Sequence, residues 1–189
     1  VIVNKPSGWT SQDVTARLRR VFNTRRIGHG GTLDPIATGV LPVFVGRATR
    51  GVEFFEHAQK TYEAVLRLGV STDTEDITGT VLEEREVSVT QEAFLQILPQ
   101  FSGEILQVPP MYSAIKINGQ KLCDLARRGK EVERKPRPVT IFRLECLEFS
   151  GNTARLLVHC SKGTYIRTLC KDMGAALGCG GCMAALRRV

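Results

Sequence analysis

A pair of strand-forming segments joined by a short turn limits the fold of this chain more than any other feature. Val139–Phe149 and Thr153–Cys160 are rich in apolar and β-branched residues, and Ser150-Gly151-Asn152 separates them. Ser, Gly and Asn favour tight turns, and strands joined by so short a connection pair antiparallel. The sequence therefore predicts a sheet that contains at least one antiparallel pair.

The remaining periodic segments do not alternate regularly between strand and helix. Strands are predicted at Val1–Asn4, Val40–Val45 and Tyr62–Leu68, helices at Thr90–Leu98, Lys121–Arg128 and Ile166–Leu177, a hairpin turn at Asn118-Gly119, and a loop at Asn23–Gly39. A first helix follows Thr10, with Asp13 completing a capping box. Its predicted apolar face consists of Val14, Leu18, Val21 and Phe22. This mixture favours an α+β fold in which helices flank a mixed or mostly antiparallel sheet.

The charge of the chain favours a polyanionic partner. Lys and Arg total 26 against 19 Asp and Glu, and the pI of about 9.3 is in the range typical of nucleic-acid-binding domains. Clustered cations gain affinity for nucleic acid by releasing its counterions. The clusters consist of Arg17, Arg19, Arg20, Arg25, Arg26, Lys121, Arg127, Arg128, Lys130, Arg134, Lys135, Arg137, Arg187 and Arg188. No apolar run reaches the roughly 18 residues of a membrane span, so we expect no membrane association.

The six cysteines do not form a recognisable metal or redox motif. Cys179 and Cys182 make one CxxC, but no second Cys or His pair with zinc-site spacing accompanies it. The segment is Cys-Gly-Gly-Cys in a glycine-rich stretch, which we interpret as a loop rather than the strand-to-helix junction of a redox site. We therefore expect reduced thiols in an intracellular protein and no bound metal.

Gly28–Gly39 is the segment that most strongly indicates chemistry. Its glycines allow a ligand to approach the backbone closely, and Pro35 holds Asp34 in an extended conformation. An isolated Asp-Pro pair is usually a plain turn. A phosphate-binding P-loop is excluded because no Gly-Lys-Ser/Thr follows, and a nucleophilic serine elbow is absent. His29 and Asp34 have no clear third metal ligand nearby.

This segment closely resembles the catalytic motif of the TruB family of tRNA pseudouridine synthases. Other motifs of that family are matched, in the same order and along nearly the whole chain, by Asn4–Gly8, Lys60–Tyr62, Val108–Lys116, Ser161–Thr168 and Leu186–Arg188. Separate motifs in one order are far more specific than any one of them. The resemblance implies the pseudouridine synthase fold and an enzyme without a cofactor, which converts uridine to pseudouridine in the T-loop of tRNA, at position 55.

The resemblance also implies roles for individual residues. Asp34 matches the catalytic carboxylate, which acts on a uridine flipped out of folded RNA. Arg167 matches the arginine that pairs with this carboxylate. Tyr62 matches a tyrosine that stacks on the flipped base and helps to move a proton.

Further matches concern the binding of the substrate and the support of the loop. Tyr165 and Leu186 match residues that line the base pocket, and His29 matches a residue that contacts RNA. Lys5 and Pro6 match a motif that braces the catalytic loop.

The resemblance finally implies partners and domain organisation. We expect a cytoplasmic monomer that binds the T-arm stem-loop of tRNA and requires no protein partner. Bacterial members continue past Leu186–Arg188 into a PUA-like RNA-binding domain, so residues 1–189 are predicted to be the catalytic domain, with that domain absent or truncated. A guide-RNA-dependent enzyme of the dyskerin-like branch and a non-enzymatic tRNA-binding or tRNA-folding module remain alternatives.

Overall fold

The computed structural model of the protein describes residues 1–56 and 58–189. In the described part of the chain, the strands are β1 (Ile2–Lys5), β2 (Ile27–His29), β3 (Thr38–Val45), β4 (Lys60–Leu68), β5 (Val70–Thr72), β6 (Val81–Glu84), β7 (Gly103–Gln107), β8 (Lys116–Ile117), β9 (Gln120–Lys121), β10 (Arg137–Ser150), β11 (Thr153–Cys160) and β12 (Gly181–Arg188). The α-helices are α1 (Ser11–Val21), α2 (Val52–Glu56), α3 (Gln91–Ile97), α4 (Leu122–Ala126) and α5 (Ile166–Ala176).

One large sheet carries the fold. Its strands follow the order β1-β3-β12-β4-β11-β10-β7, and β2 pairs with β3 beside this path. Strands β3 and β12 run parallel, while the other neighbouring strands are antiparallel. The pair β5-β6 and the hairpin β8-β9 lie outside this sheet. The predicted α+β fold, with helices flanking a mixed and mostly antiparallel sheet, is confirmed.

Strand β4 shows why this sheet forms where it does. Ala64, Leu66 and Leu68 are at most 1% exposed, whereas the alternate residues of the strand are only partly buried. A period of two therefore directs one row of apolar side chains into the core. Helix α5 packs over β12 and β4, and its Leu169 and Met173 are completely buried.

The predicted first helix is correct in its start but not in its buried face. The Thr10 hydroxyl accepts the Asp13 amide and the Asp13 carboxylate accepts the Thr10 amide, which is the predicted capping box. Val14 is buried, but Val21 and Phe22 are 63% and 43% exposed. The helix contacts β2, and its last turn extends beyond the core, so spacing alone overstated the apolar face.

Two predicted loops need correction, and two further strands of the large sheet were missed. The loop predicted at Asn23–Gly39 contains strand β2, which pairs with β3. The Cys-Gly-Gly-Cys segment is only partly a loop, because Cys182 lies within β12. Strands β7 and β12 had not been predicted. In β12, the adjacent residues Cys182 and Met183 are both buried, and Arg187 and Arg188 are both cationic. These two pairs obscure the alternation of apolar and polar residues that a half-buried strand normally shows.

Glycines bring helix α5 unusually close to the chain that leads into β12. A Cβ atom at Gly174 would lie 2.3 Å from the Gly180 carbonyl carbon and 2.3 Å from the Gly181 nitrogen. The Gly180 amide donates to the Gly174 carbonyl at 2.9 Å. Gly174 therefore has a packing role, since its lack of a side chain lets the backbone at Gly180-Gly181 pass directly over the helix.

We expect Gly174→Ala to lower the free energy of unfolding. Alanine favours a helix over glycine by about 1 kcal/mol, but the new methyl group would collide with backbone that cannot move aside. Overpacking of this kind costs about 1–3 kcal/mol. Thermal unfolding measures the balance, with Ala175→Gly at an exposed position of the same helix reporting propensity alone. A Gly174→Ala protein as stable as the parent would contradict this packing role.

Candidate active site

Hydrogen bonds fix the backbone of the Asp34 loop both before and after Asp34. The loop connects β2 to β3. The Ser11 hydroxyl on helix α1 accepts the Leu33 amide at 2.9 Å and donates to the Leu33 carbonyl at 3.2 Å. The Ala37 amide donates to the Asp34 carbonyl at 3.0 Å. The backbone on both sides of Asp34 is therefore fixed by hydrogen bonds.

Lys5 supports the same loop from beneath. Its side chain is completely buried, and its ammonium group donates to the carbonyls of Pro6 at 2.8 Å, of Pro35 at 3.2 Å and of Trp9. Burial lowers the pKa of Lys5, and the nearby carboxylates of Asp34 and Asp13 oppose that shift. Pro6 is exposed and takes part through its carbonyl group. The contacts of Lys5 fit a brace rather than a group that touches a substrate.

Arg167 lies against the Asp34 carboxylate. Its Nε donates to Oδ2 at 2.9 Å and its Nη2 to Oδ1 at 3.3 Å, so the pair is bidentate. The guanidinium also donates to the carbonyls of Thr74 at 3.0 Å and Tyr112 at 2.9 Å. The Arg167 side chain is 6% exposed and that of Asp34 is 33% exposed. The carboxylate is therefore oriented by Arg167 on one side and open on the other.

The buried Glu75 fixes the turn that contacts Arg167, and the sequence analysis does not identify it as a site residue. The Glu75 carboxylate accepts the Thr168 hydroxyl and the Lys171 ammonium group, each at 2.6 Å. Both partners lie on helix α5, beside Arg167. Glu75 has a φ of 64°, a left-handed conformation that non-glycine residues seldom adopt. The acidic turn is thus anchored to the helix with the Thr74 carbonyl facing the guanidinium.

Tyr62 and Leu186 come from neighbouring strands at the centre of the sheet. Leu186 on β12 pairs with Ala64 on β4, two residues beyond Tyr62. Tyr62 is 7% exposed and Leu186 is equally buried. Burial raises the pKa of the Tyr62 phenol, and the Asp34 carboxylate raises it further, against the opposing Arg188 guanidinium. Tyr62 is therefore a neutral phenol within electrostatic range of Asp34.

Tyr165 stands immediately before helix α5 and is partly buried. The Gln107 side chain, 2% exposed, holds its backbone in both directions: the Tyr165 amide donates to Oε1 at 3.0 Å and Nε2 donates to the Tyr165 carbonyl at 3.2 Å. Burial raises the pKa of the Tyr165 phenol, and Asp34 is among the charges acting on it. The sequence did not indicate Gln107, because its strand β7 was not recognised.

His29 ends strand β2, and burial lowers the pKa of its imidazole, with the Arg188 guanidinium adding to the effect. Arg188 itself is only 4% exposed, and it donates to the carbonyls of Val40 at 2.7 Å and Gly31 at 3.2 Å. Its inclusion among the phosphate-binding cations was therefore wrong. Recognising β12 as a strand would have placed Arg188 on the same buried face as Leu186.

The described residues contain neither a metal cluster nor a membrane-spanning helix. No group of three or more His, Cys, Asp or Glu side chains among residues 1–56 and 58–189 is arranged to hold a metal ion. None of the helices described has the length and apolar character needed to cross a membrane. The six cysteines are free thiols, and four of them are buried.

Comparison with known proteins assigns the family. Residues 19–166 match the N-terminal domain of the TruB family of pseudouridylate synthases. The chain belongs to this family. Residues 167–189 match the C-terminal domain described for tRNA pseudouridylate synthase B. The second match starts at Arg167, the second residue of α5, and extends through β12. It therefore includes the partner of Asp34 and a strand at the centre of the sheet.

Relatives of the TruB family match the whole chain at high identity. The tRNA pseudouridine synthase B of Dechloromonas aromatica is 52% identical over 189 residues, and that of Stutzerimonas stutzeri is 53% identical over 188 residues. Each match covers 100% of this chain but only 63% and 62% of the respective relative. The chain therefore spans less than two thirds of the length of these relatives.

A solved structure shows the same fold. The crystal structure of a Cbf5-Nop10-Gar1 complex contains a chain with a TM-score of 0.76 and 34% sequence identity. The match covers 100% of this chain and 47% of that one. A chain in an H/ACA ribonucleoprotein bound to a substrate RNA containing 2′-deoxyuridine matches with a TM-score of 0.72 and 31% identity. The predicted pseudouridine synthase fold is confirmed.

Proposed function

We propose that this chain is the catalytic domain of a tRNA pseudouridine synthase and that Asp34 is its catalytic carboxylate. One observation carries the proposal: the Asp34 carboxylate is clamped by the buried Arg167 through two hydrogen bonds, with one third of its side chain exposed. A carboxylate that is oriented by a guanidinium and open on one side suits attack on a substrate or stabilisation of positive charge on a sugar. The names of the relatives support uridine in tRNA as the substrate.

The residues around Asp34 fit a flipped uridine. The reaction breaks the bond between the ribose and a ring nitrogen, turns the base, and joins the ribose to a ring carbon. That carbon loses a proton and the nitrogen gains one, so composition is unchanged and no cofactor is required. In this proposal Tyr62 stacks on the base and, as a neutral phenol, helps to move the proton. Tyr165 and Leu186 line the base pocket, and His29 contacts the RNA.

Extruding the base costs roughly a few kcal/mol. Stacking of the base on an aromatic side chain returns about 1–3 kcal/mol, and phosphate contacts with the exposed arginines add to it. In this proposal Lys5 and Pro6 do not contact the RNA but support the Asp34 loop. The T-arm stem-loop is the proposed RNA partner, with the chain acting as a cytoplasmic monomer and without an obligatory protein partner.

A guide-RNA-dependent activity is the second candidate. The likeness to the Cbf5 chain of a Cbf5-Nop10-Gar1 complex, at 34% identity, favours it. The 52–53% identity to stand-alone tRNA pseudouridine synthases B favours the first candidate more strongly. The two candidates differ in whether the protein needs an added guide RNA.

The decisive assay is pseudouridine formation in an unmodified tRNA transcript without guide RNA. We expect product at the T-loop uridine, and none in a matched transcript that carries cytidine at that position. Mapping the modified nucleotide distinguishes this site from other uridines. Product only when guide RNA and partner proteins are added would favour the second candidate. RNA binding without product under either condition would leave the non-enzymatic RNA-binding module.

A further inference from the structure

A groove of about 430 Å³ lies along helix α1 and the turn that precedes it. It is lined by Gly8, Trp9, Asp13, Ala16, Arg17 and Arg20. We propose that this groove binds an unstacked nucleotide of the RNA, with the base against the Trp9 indole and the adjoining phosphates on Arg17 and Arg20. This inference rests on the proposed function, because it takes the partner to be RNA.

Trp9 is an exposed aromatic side chain on a rigid backbone. It is 41% exposed. The Trp9 carbonyl accepts the buried Lys5 ammonium group, and the preceding Gly8 amide donates to the Pro35 carbonyl at 2.9 Å. An exposed aromatic ring carried on a fixed backbone can stack on a base, and every nucleobase offers a face for stacking.

The charges of the groove complement a phosphate backbone. Arg17 and Arg20 are exposed and lie three residues apart, so they share one face of α1. Within the described part of the chain, neither forms an ion pair. The Asp13 carboxylate is already occupied, since it accepts the Thr10 amide at 2.8 Å and the Thr10 hydroxyl at 2.6 Å. The cations of the groove are thus available to an anionic ligand.

Hydrogen bonds connect the groove to the Asp34 loop. Lys5 donates to the carbonyls of both Trp9 and Pro35, and Pro35 follows Asp34 directly. The Ser7 hydroxyl donates to the Ile36 carbonyl at 3.3 Å. The segment that carries Trp9 and the loop that carries Asp34 are therefore fixed to each other. A nucleotide bound in the groove would lie at a fixed position relative to the reacting uridine. The groove is expected to contribute to RNA affinity and not to the chemical step.

The sequence contains a single tryptophan, so intrinsic tryptophan fluorescence reports on this groove alone. We expect unmodified tRNA transcript to quench the Trp9 emission in proportion to binding, measured in parallel by filter retention. The Asp34→Asn protein should show the same quenching. Emission that stays unchanged while RNA is bound would overturn the proposal.

Affinity supplies the second test. Trp9→Ala is expected to weaken tRNA binding about tenfold, in line with the loss of one stacked base, and Trp9→Phe should retain most of the affinity. The double variant Arg17→Ala and Arg20→Ala should weaken binding and reduce its salt dependence. Phe142→Ala is the matched control, because Phe142 on β10 is 49% exposed. In turnover the loss should fall on KM. Unchanged affinity of folded Trp9→Ala protein would overturn the proposal.

These outcomes separate the groove from the proposed function. Quenching and the affinity losses without any pseudouridine formation would retain the groove as an RNA site and reject the enzyme. Pseudouridine formation with unaltered Trp9 emission would retain the enzyme and reject the groove as an RNA site.

Discussion

Asp34→Asn is expected to abolish pseudouridine formation while leaving RNA binding in place. The substitution keeps the shape of the side chain but removes its negative charge, so it can neither attack nor stabilise a positively charged sugar. Removal of a catalytic nucleophile lowers turnover by about four orders of magnitude or more in well-studied enzymes. Single-turnover conversion of an unmodified tRNA transcript measures the effect, alongside RNA binding by filter retention.

The matched control for this change is Asp124→Asn. Asp124 is an exposed carboxylate that pairs with Arg127 at 3.4 Å, and an exposed pair of this kind contributes little. We expect its activity to equal that of the parent. Substantial pseudouridine formation by folded Asp34→Asn protein would remove Asp34 from the mechanism. Loss of RNA binding together with activity would instead make Asp34 a binding residue.

Arg167→Lys is expected to reduce both activity and stability. Lysine keeps the positive charge but lacks the planar fork that reaches two carboxylate oxygens and two carbonyls. The carbonyls of Thr74 and Tyr112 would lose their donor, and an unsatisfied buried group costs about 1–3 kcal/mol. Asp34 is one third exposed, so water would partly replace the lost contacts. We expect unfolding to cost about 2 kcal/mol less and turnover to fall about a hundredfold.

Arg155→Lys separates the local effect from the general one. Arg155 forms an exposed pair with Glu148 at 3.5 Å, and the two side chains are 49% and 65% exposed. The same chemical change there should alter stability by no more than about 0.5 kcal/mol and leave activity unchanged. Equal effects at the two positions, in thermal unfolding and in turnover, would show that the clamp on Asp34 contributes nothing specific.

The sheet could be predicted where local chemistry determines the structure. The β10–β11 hairpin follows from its turn residues, and β4 follows from its alternation of apolar and polar residues. The start of α1 follows from the capping pair of Thr10 and Asp13. Each of these signals lies within a few neighbouring residues, so the sequence alone displays it.

The parts that were missed depend on contacts between distant segments. Strand β12 pairs with β3 and β4, which are far from it in sequence. Gly180-Gly181 has the composition of a loop, and only the fold shows that it packs against Gly174 of helix α5. Arg188 looks like one more surface cation, although the fold buries it. The ion pair of Asp34 with Arg167 could be expected only because both residues lie in motifs that resemble one family. Glu75 also lies in a segment that resembles the family, but nothing in the sequence predicts its hydrogen bonds to Thr168 and Lys171.

The place of β12 has a consequence for synthesis of the protein on the ribosome. It hydrogen-bonds both to β3, beyond the Asp34 loop, and to β4, which carries Tyr62. These two strands are made early, yet the strand that joins them is formed by residues 181–188. A nascent chain therefore carries an unassembled site until this segment leaves the exit tunnel. Such late, long-range closure slows folding and ties activity to completion of this part of the polypeptide.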